Sequence, residues 1–100
     1  MREEPPIRRL VLDILKPLEP SIIEMAKAIG RVRGVTGVNL TVYEIDRKTE
    51  TIKATVEGSR INFKMLQRVV EEMGGVIHSI DEVVVGKKIV EESKTPHEMF

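Results

Sequence analysis

The sequence predicts an α+β domain with the element order β-α-β-β-α-β, and three observations lead to it. The run Leu10–Leu15 is almost wholly apolar, which is typical of a strand at the centre of a sheet. A capped amphipathic helix follows this strand. A shift of 41 residues superimposes that helix on a second one: Ile22 on Phe63, Met25 on Leu66, Ile29 on Val70, Val32 on Met73 and Gly34 on Gly75. Two such halves interleave as a ferredoxin-like split sheet, which has four antiparallel strands in the order 4-1-3-2 and both helices on one face.

The two halves place six elements on the chain. The expected bounds are Ile7–Leu15 for strand one, Ser21 to about Arg33 for helix one, Val35–Ile45 for strand two, Thr51–Glu57 for strand three, Asn62 to about Met73 for helix two, and Val76 to Val90 for strand four. Each helix starts at a residue that favours N-caps and ends at a glycine. Strand one alternates, so its charged residues Arg9 and Asp13 lie on the face without helices. A kink is expected in strand four at Asp81–Glu82.

Length and charge indicate one ordinary globular unit. We expect a single domain over residues 1–100, with a core at about 7–90 and flexible tails at 1–6 and 91–100. The 16 basic residues equal the 16 acidic residues, which argues against a dedicated nucleic-acid or anionic-membrane binder. The chain has no cysteine, which excludes disulfides, iron–sulfur clusters and thiolate zinc sites.

The location of the protein is predicted from what the chain lacks. The first residues have no apolar signal core, and no stretch approaches the roughly 18 apolar residues of a membrane span. We therefore expect a cytoplasmic protein without a membrane partner. Many Glu, Lys and Arg residues together with no cysteine are typical of a thermophilic source.

No motif predicts an enzyme. Strands one and three lack the aromatic residues on which RNA-recognition domains of this topology stack bases. The C-x-x-C motif of heavy-metal carriers is absent, and the serines carry no nucleophile signature. The pair Gly74–Gly75 follows a helix, whereas a phosphate-binding loop precedes one. We therefore expect a non-enzymatic protein without a nucleic-acid partner.

One group of side chains is suited to a metal ion. We interpret strands one and three as parallel, which places Asp13 and Glu57 at the same end of the sheet face without helices. Strand four begins at that end, near His78. Two carboxylates and an imidazole suit zinc or manganese, and the carboxylates alone suit calcium. We predict a divalent-cation site at Asp13, Glu57 and His78; the alternative is three ordinary polar residues on a solvated face.

Self-association is predicted from exposed apolar residues. Strand four is long and apolar for a solvated edge, and apolar residues lie among charges on the face without helices. Asp81–Glu82 favours a bulge that presents carboxylates to a ligand or a neighbouring subunit. The alternatives are edge charges that block aggregation, and packing of Val83–Val85 on helix one. The predicted interface residues are Val11, Tyr43, Ile80, Asp81, Glu82 and Val84.

Three stretches resemble one family of proteins. Leu10–Ser21, Gly34–Leu40 and His78–Gly86 are similar to an archaeal family of about 100 residues whose function is uncharacterised, and the resemblance covers roughly Ile7–Val90. It implies a ferredoxin-like fold, ring-like homo-oligomers and bound divalent ions such as calcium. It implies no catalytic residue. The chain departs from the family at Asn62, where an acidic residue is expected, and in its C-terminal extension.

The chain also resembles small-molecule-sensing regulatory domains of the amino-acid-binding kind. In those domains the ligand lies between subunits and contacts the turn after strand one. The resemblance implies ligand-binding residues in the corresponding loop, at Lys16, Glu19 and Ser21, although Pro17–Pro20 replaces the usual glycine. The sequence thus predicts a homo-oligomeric module that binds a divalent ion or a small ligand in a regulatory role. The alternatives are a purely structural oligomer and a regulatory domain of the amino-acid-sensing type.

Overall fold

A computed structural model describes residues 4–94 and contains the predicted elements in the predicted order. The elements are β1 (Ile7–Pro17), α1 (Ile22–Gly30), β2 (Val35–Ile45), β3 (Thr49–Gly58), α2 (Phe63–Glu72) and β4 (Val76–Val85). The four strands have the order β2-β3-β1-β4, and every neighbouring pair is antiparallel. The predicted ferredoxin-like fold is therefore confirmed, with β1 as a central strand.

The core lies between the sheet and the two helices. Leu10, Leu12 and Ile14 of β1 are buried, because the alternation of the strand points all three towards the helices. They belong to one apolar cluster with residues of β3, α1 and α2: Ile52, Ala54, Val56, Met25, Ile29, Leu66 and Val70. Burial of apolar surface contributes roughly 25 cal/mol per Å², so this cluster is the main source of stability.

Among residues 4–94 no helix covers the other face of the sheet, and we call it the open face. It is formed by Arg9, Val11, Asp13 and Leu15 of β1 and their partners in the neighbouring strands. The partners in β3 are, in the same order, Glu57, Thr55, Lys53 and Thr51. Those in β4 are Val84, Glu82, Ser79 and Val76. The predicted position of the charged β1 residues, away from the helices, is confirmed.

Both helices start at the predicted caps. The side chain of Ser21 accepts a hydrogen bond at 3.2 Å from the backbone amide three residues later, and Asn62 does the same at 3.0 Å. α1 ends at Gly30 rather than near Arg33. The amide of Arg31 is shared between the carbonyls of Lys27 and Ala28, and the amide of Val32 donates to the carbonyl three residues back, which forms a tighter turn. Within residues 4–94, no helix has the length and apolar character needed to cross a membrane.

β4 ends at Val85, although the apolar pattern predicted a strand as far as Val90. The reason is Gly86, whose φ of +118° turns the chain out of the strand. The turn is held in place because the amide of Gly86 donates a hydrogen bond to the carbonyl of Pro6 at 2.8 Å. The chain after β4 is therefore directed back over the sheet.

Candidate functional site

The register of the strands decides which residues of the open face are neighbours. Asp13 lies opposite Lys53, whereas Glu57 lies opposite Arg9. The interpretation that strands one and three run in the same direction is therefore wrong, because β1 and β3 are antiparallel like the rest of the sheet. Glu57 is four residues along β3 from Lys53, a distance of roughly 13 Å. It does not share a site with Asp13.

Glu57 takes part instead in an ion-pair network around Arg9. The guanidinium donates to Glu57 at 2.7 Å and to both carboxylate oxygens of Glu91 at 2.8 and 3.1 Å, and it lies 3.5 Å from Glu82. Hydrogen bonds to Glu91 and Glu57 raise the pKa of Arg9, and the bond from Arg9 lowers the pKa of Glu91. The network joins β1, β3, β4 and the chain after β4 at one end of the open face.

Residues 86–94, which we call the C-terminal segment, return to the sheet at this end. Val84 is only 7% exposed although it lies on the open face of an edge strand. It lines a cavity of about 310 Å³ together with residues of the C-terminal segment, among them Val90 and Glu91. The sequence predicted a flexible tail from residue 91, whereas Glu91 makes the bidentate contact with Arg9.

Asp13 and His78 are the two predicted metal ligands that the structure brings together. Asp13 pairs with Ser79, and Ile14 pairs with Ile77, so His78 is the additional residue of a β-bulge between these pairs. Asp13 and His78 line one cavity of about 260 Å³ on the open face, with Ile14, Leu15 and Thr51. In the part of the chain that the structure describes, no group of three or more His, Asp or Glu residues is placed to hold a metal ion.

A cation and a second carboxylate lie close to this cavity. Lys53 faces Asp13, and its ammonium is 5.3 Å from the centre of the Tyr43 ring. The interaction with Tyr43 raises the pKa of Lys53, and the charges of Asp81 and Asp13 raise it further. Asp81 also accepts a hydrogen bond at 2.8 Å from the hydroxyl of Ser79. The field around the cavity is therefore mixed in sign.

The buried side chain of Lys16 holds the predicted ligand-binding loop after β1 in place. This side chain is 0% exposed, and its ammonium donates to Glu50 at 2.7 Å and to the carbonyls of Pro17 and Leu18 at 2.6 and 3.2 Å. These bonds use all three N–H groups of a lysine. Ser21 caps α1, and Glu19 is exposed. Lys16 therefore positions the loop.

β4 forms an edge of the sheet with exposed apolar side chains. Val76, Ile80, Val83 and Val85 are 46–56% exposed. A bulge at Asp81 separates the pair Leu12–Ile80 from the pair Val11–Glu82, and the predicted interruption of strand four is thereby confirmed. The bulge brings Asp81 to the side of the open face, where it contacts Ser79.

The predicted interface residues differ in exposure. Tyr43, Ile80 and Asp81 are exposed, Val11 and Glu82 are half-buried, and Val84 is buried beside the C-terminal segment. Val84 therefore offers little surface to a partner. On β4, the side chains of Val76, Ile80, Val83 and Val85 offer more surface.

Two comparisons with known proteins identify relatives. The model of the family DUF211, described as "Uncharacterized ArCR", matches residues 8–99. An uncharacterized protein of Methanocaldococcus jannaschii, MJ0319, is 55% identical over 92 residues, which cover 92% of this chain and 95% of the relative. Neither description names a reaction, a ligand or a partner.

Proposed function

The chain belongs to the DUF211 family, and we propose that it is a non-enzymatic, homo-oligomeric module that binds a divalent metal ion or a small ligand on its open face. The resemblance to an uncharacterised archaeal family is confirmed, while assembly and ligand binding are the content of the proposal. The observation that carries it is the exposed apolar edge strand β4.

The composition of β4 favours pairing with another strand. Its ten residues, roughly 33 Å of strand, include neither proline nor lysine, the residues with which natural edges commonly prevent pairing. Within residues 4–94 only β1 pairs with it, so the outer side of its backbone has no strand partner. Its two acidic residues have contacts within the sheet, since Asp81 accepts a hydrogen bond from Ser79 of the same strand and Glu82 lies near Arg9 of β1.

A second copy of the chain is the partner that fits this edge. The formal net charge is zero, so two copies do not repel each other through net charge. Antiparallel pairing of two β4 strands would satisfy the outer backbone groups and place Ile80 and Val83 of both copies side by side around a two-fold axis. A stable interface of standard size buries roughly 800 Å² on each partner.

The cavity at Asp13 and His78 supports the ligand-binding part of the proposal. Its lining combines the polar residues Asp13, His78 and Thr51 with the apolar residues Ile14 and Leu15, a mixture that is common in small-ligand sites. His78 belongs to β4. A ligand that contacts His78 would therefore act on the same strand as the proposed interface, which is the basis for a regulatory role.

The proposal is tested by the mass of the protein in solution, measured by light scattering after size exclusion in EDTA. We expect the wild type to form an oligomer and Ile80→Lys and Val83→Lys to be smaller. Ile23→Lys is the matched control, because Ile23 is 64% exposed on α1, and it should keep the wild-type mass. A monomeric wild type, or β4 variants with the wild-type mass, would overturn the proposed assembly.

A further inference from the structure

We infer that Asp13 and His78 form half of a transition-metal site, and that one divalent ion of the zinc class is held between the open faces of two copies. This inference rests on the proposed function for ligand binding on the open face, and the contact between two open faces is separate from the β4 edge. It adds the class of ion, the residues that bind it and the number of chains that share it.

The geometry of β1 and β4 places both donors on one cavity. Asp13 lies on the central strand, and its direct partner in β4 is the residue next to His78. Neighbouring strands are roughly 4.8 Å apart, and diagonal cross-strand neighbours are within reach of long side chains. The bulge adds His78 between two paired residues, and His78 lines the same cavity as Asp13.

Neither side chain is engaged by the fold. Within residues 4–94, the carboxylate of Asp13 accepts no side-chain hydrogen bond, and the ring of His78 neither donates nor accepts one. The carboxylates at the other end of the open face, in contrast, form ion pairs with Arg9. A carboxylate and an imidazole without side-chain hydrogen bonds to the described residues are available to an ion.

The donor atoms select the class of ion. Calcium and magnesium prefer sets made of oxygen donors, whereas imidazole nitrogen suits zinc, nickel and copper. One nitrogen and one carboxylate oxygen therefore point to an ion such as Zn²⁺ or Ni²⁺ rather than to the calcium that the family resemblance implied.

One chain supplies only part of the coordination. Zinc in proteins is almost always tetrahedral with four ligands, or three ligands and a water. Among the described residues there is no third His, Asp or Glu positioned with this pair to hold an ion. Two copies related by a two-fold axis would together supply two imidazoles and two carboxylates. The two carboxylates also balance the double positive charge of the ion.

The surroundings of the pair leave room for a second open face. Leu15, Val76 and Tyr43 are exposed at this end of the sheet, and their apolar surface would be covered by the second copy. The C-terminal segment contacts the opposite end, at Arg9. The cation Lys53 is positioned over Tyr43, and the charge of Asp81 offsets its repulsion of an ion.

The test is a titration of the tag-free, full-length protein with Zn²⁺, followed by calorimetry and native mass spectrometry. We expect one ion for every two chains. His78→Gln and Asp13→Asn should each weaken binding by at least about tenfold, the smallest loss expected when a ligand is removed, since even outer-shell changes cost this much. Binding of one ion per chain, or binding that survives His78→Gln, would overturn the inference. No measurable binding would also overturn it.

Two controls separate this site from other donors. His97→Gln removes the second histidine of the chain, and Glu57→Gln removes the carboxylate that pairs with Arg9; both should keep the wild-type stoichiometry and affinity. A loss of zinc binding in Glu57→Gln would contradict the two-residue site.

In Val83→Lys, Zn²⁺ should still bind at one ion per two chains. If this variant keeps its mass in EDTA, the proposed β4 interface fails, while the zinc stoichiometry still decides the inference.

Discussion

The carbonyl oxygen of Gly34 occupies the space in which any other residue at position 58 would place its Cβ. The turn after α1 therefore rests directly on the end of β3, and the amide of Ser59 donates to the carbonyl of Gly34 at 3.0 Å. Gly34 has a φ of +89°, and a Cβ there would overlap the backbone of Arg60. Two turns distant in sequence meet backbone to backbone, and this contact requires glycine on both sides.

Gly58→Ala should strongly destabilise the fold, because the new methyl group forces these two turns apart. We expect the free energy of unfolding to fall by roughly 3 kcal/mol or more. Gly37→Ala is the control, because no atom outside the neighbouring residues lies within 4 Å of a Cβ at that position, and its effect should stay within about 1 kcal/mol. Urea unfolding monitored by circular dichroism measures both. Equal midpoints for the two variants would show that the backbone contact does not constrain the fold.

Lys16→Met should be more damaging than the double variant Lys16→Met/Glu50→Leu. The single change leaves the carboxylate of Glu50, whose side chain is 13% exposed, without its cation. Removing one partner of a buried ion pair costs roughly 3–5 kcal/mol, whereas replacing both with apolar residues costs much less. Urea unfolding of the two variants decides the matter. A double variant no more stable than Lys16→Met would contradict this account of the loop.

The turn between β2 and β3 should depend on pH through Asp46. Its carboxylate accepts hydrogen bonds from the amides of Lys48 and Thr49 and from the Thr49 hydroxyl, and these bonds lower the pKa of Asp46. A depressed pKa means that the carboxylate stabilises the fold above its ordinary pKa of 3.8, and that this stabilisation is lost as the pH falls through the folded value. Asp46→Ala should thus be less stable than wild type at neutral pH.

The difference between wild type and Asp46→Ala should shrink in acid. Glu44→Ala serves as a control, because Glu44 is an exposed acid in the adjoining strand, and its effect should not follow the titration of Asp46. Urea midpoints measured from neutral to acidic pH provide the comparison. A gap between wild type and Asp46→Ala that stays constant across this range would contradict the assignment.

Glu91→Ala should loosen the C-terminal segment without unfolding the domain. The contact with Arg9 is lost, and hydrogen exchange of residues 86–94, followed by mass spectrometry, should accelerate. Glu92→Ala is the control, because Glu92 is exposed beside it and has no ion pair with a described residue. Because pairing lowers the pKa of Glu91, the contact is present at neutral pH and is lost in acid. Identical exchange rates in the two variants would show that the contact between Arg9 and Glu91 does not hold the C-terminal segment on the sheet.

The fold was predictable because its signals are local. Leu10, Leu12 and Ile14 alternate along one strand, and Ser21 and Asn62 carry the helix caps in their own side chains. Lys16 continues the same alternation, and this pattern is enough to predict that its side chain lies on the face covered by the helices. The reason for its burial, the position of Glu50 in β3, depends on strand pairing.

The site was only partly predictable because it depends on contacts between distant residues. The register between β1 and β4 makes Asp13 and His78 neighbours. Because β3 is antiparallel to β1, Glu57 lies opposite Arg9 and not near Asp13. Glu91 meets Arg9 across 82 residues of sequence, and no local pattern marks that contact. Periodicity specifies which face a residue occupies, whereas its neighbours on that face follow from register.

The central claim is that this chain assembles with copies of itself, and native mass spectrometry of the wild type in EDTA tests it most directly. The account predicts one closed oligomer with a fixed number of subunits, each of 11.3 kDa, which persists on dilution and is lost in Val83→Lys. A wild type that is monomeric at every concentration, with the β4 edge exposed to solvent, would contradict it.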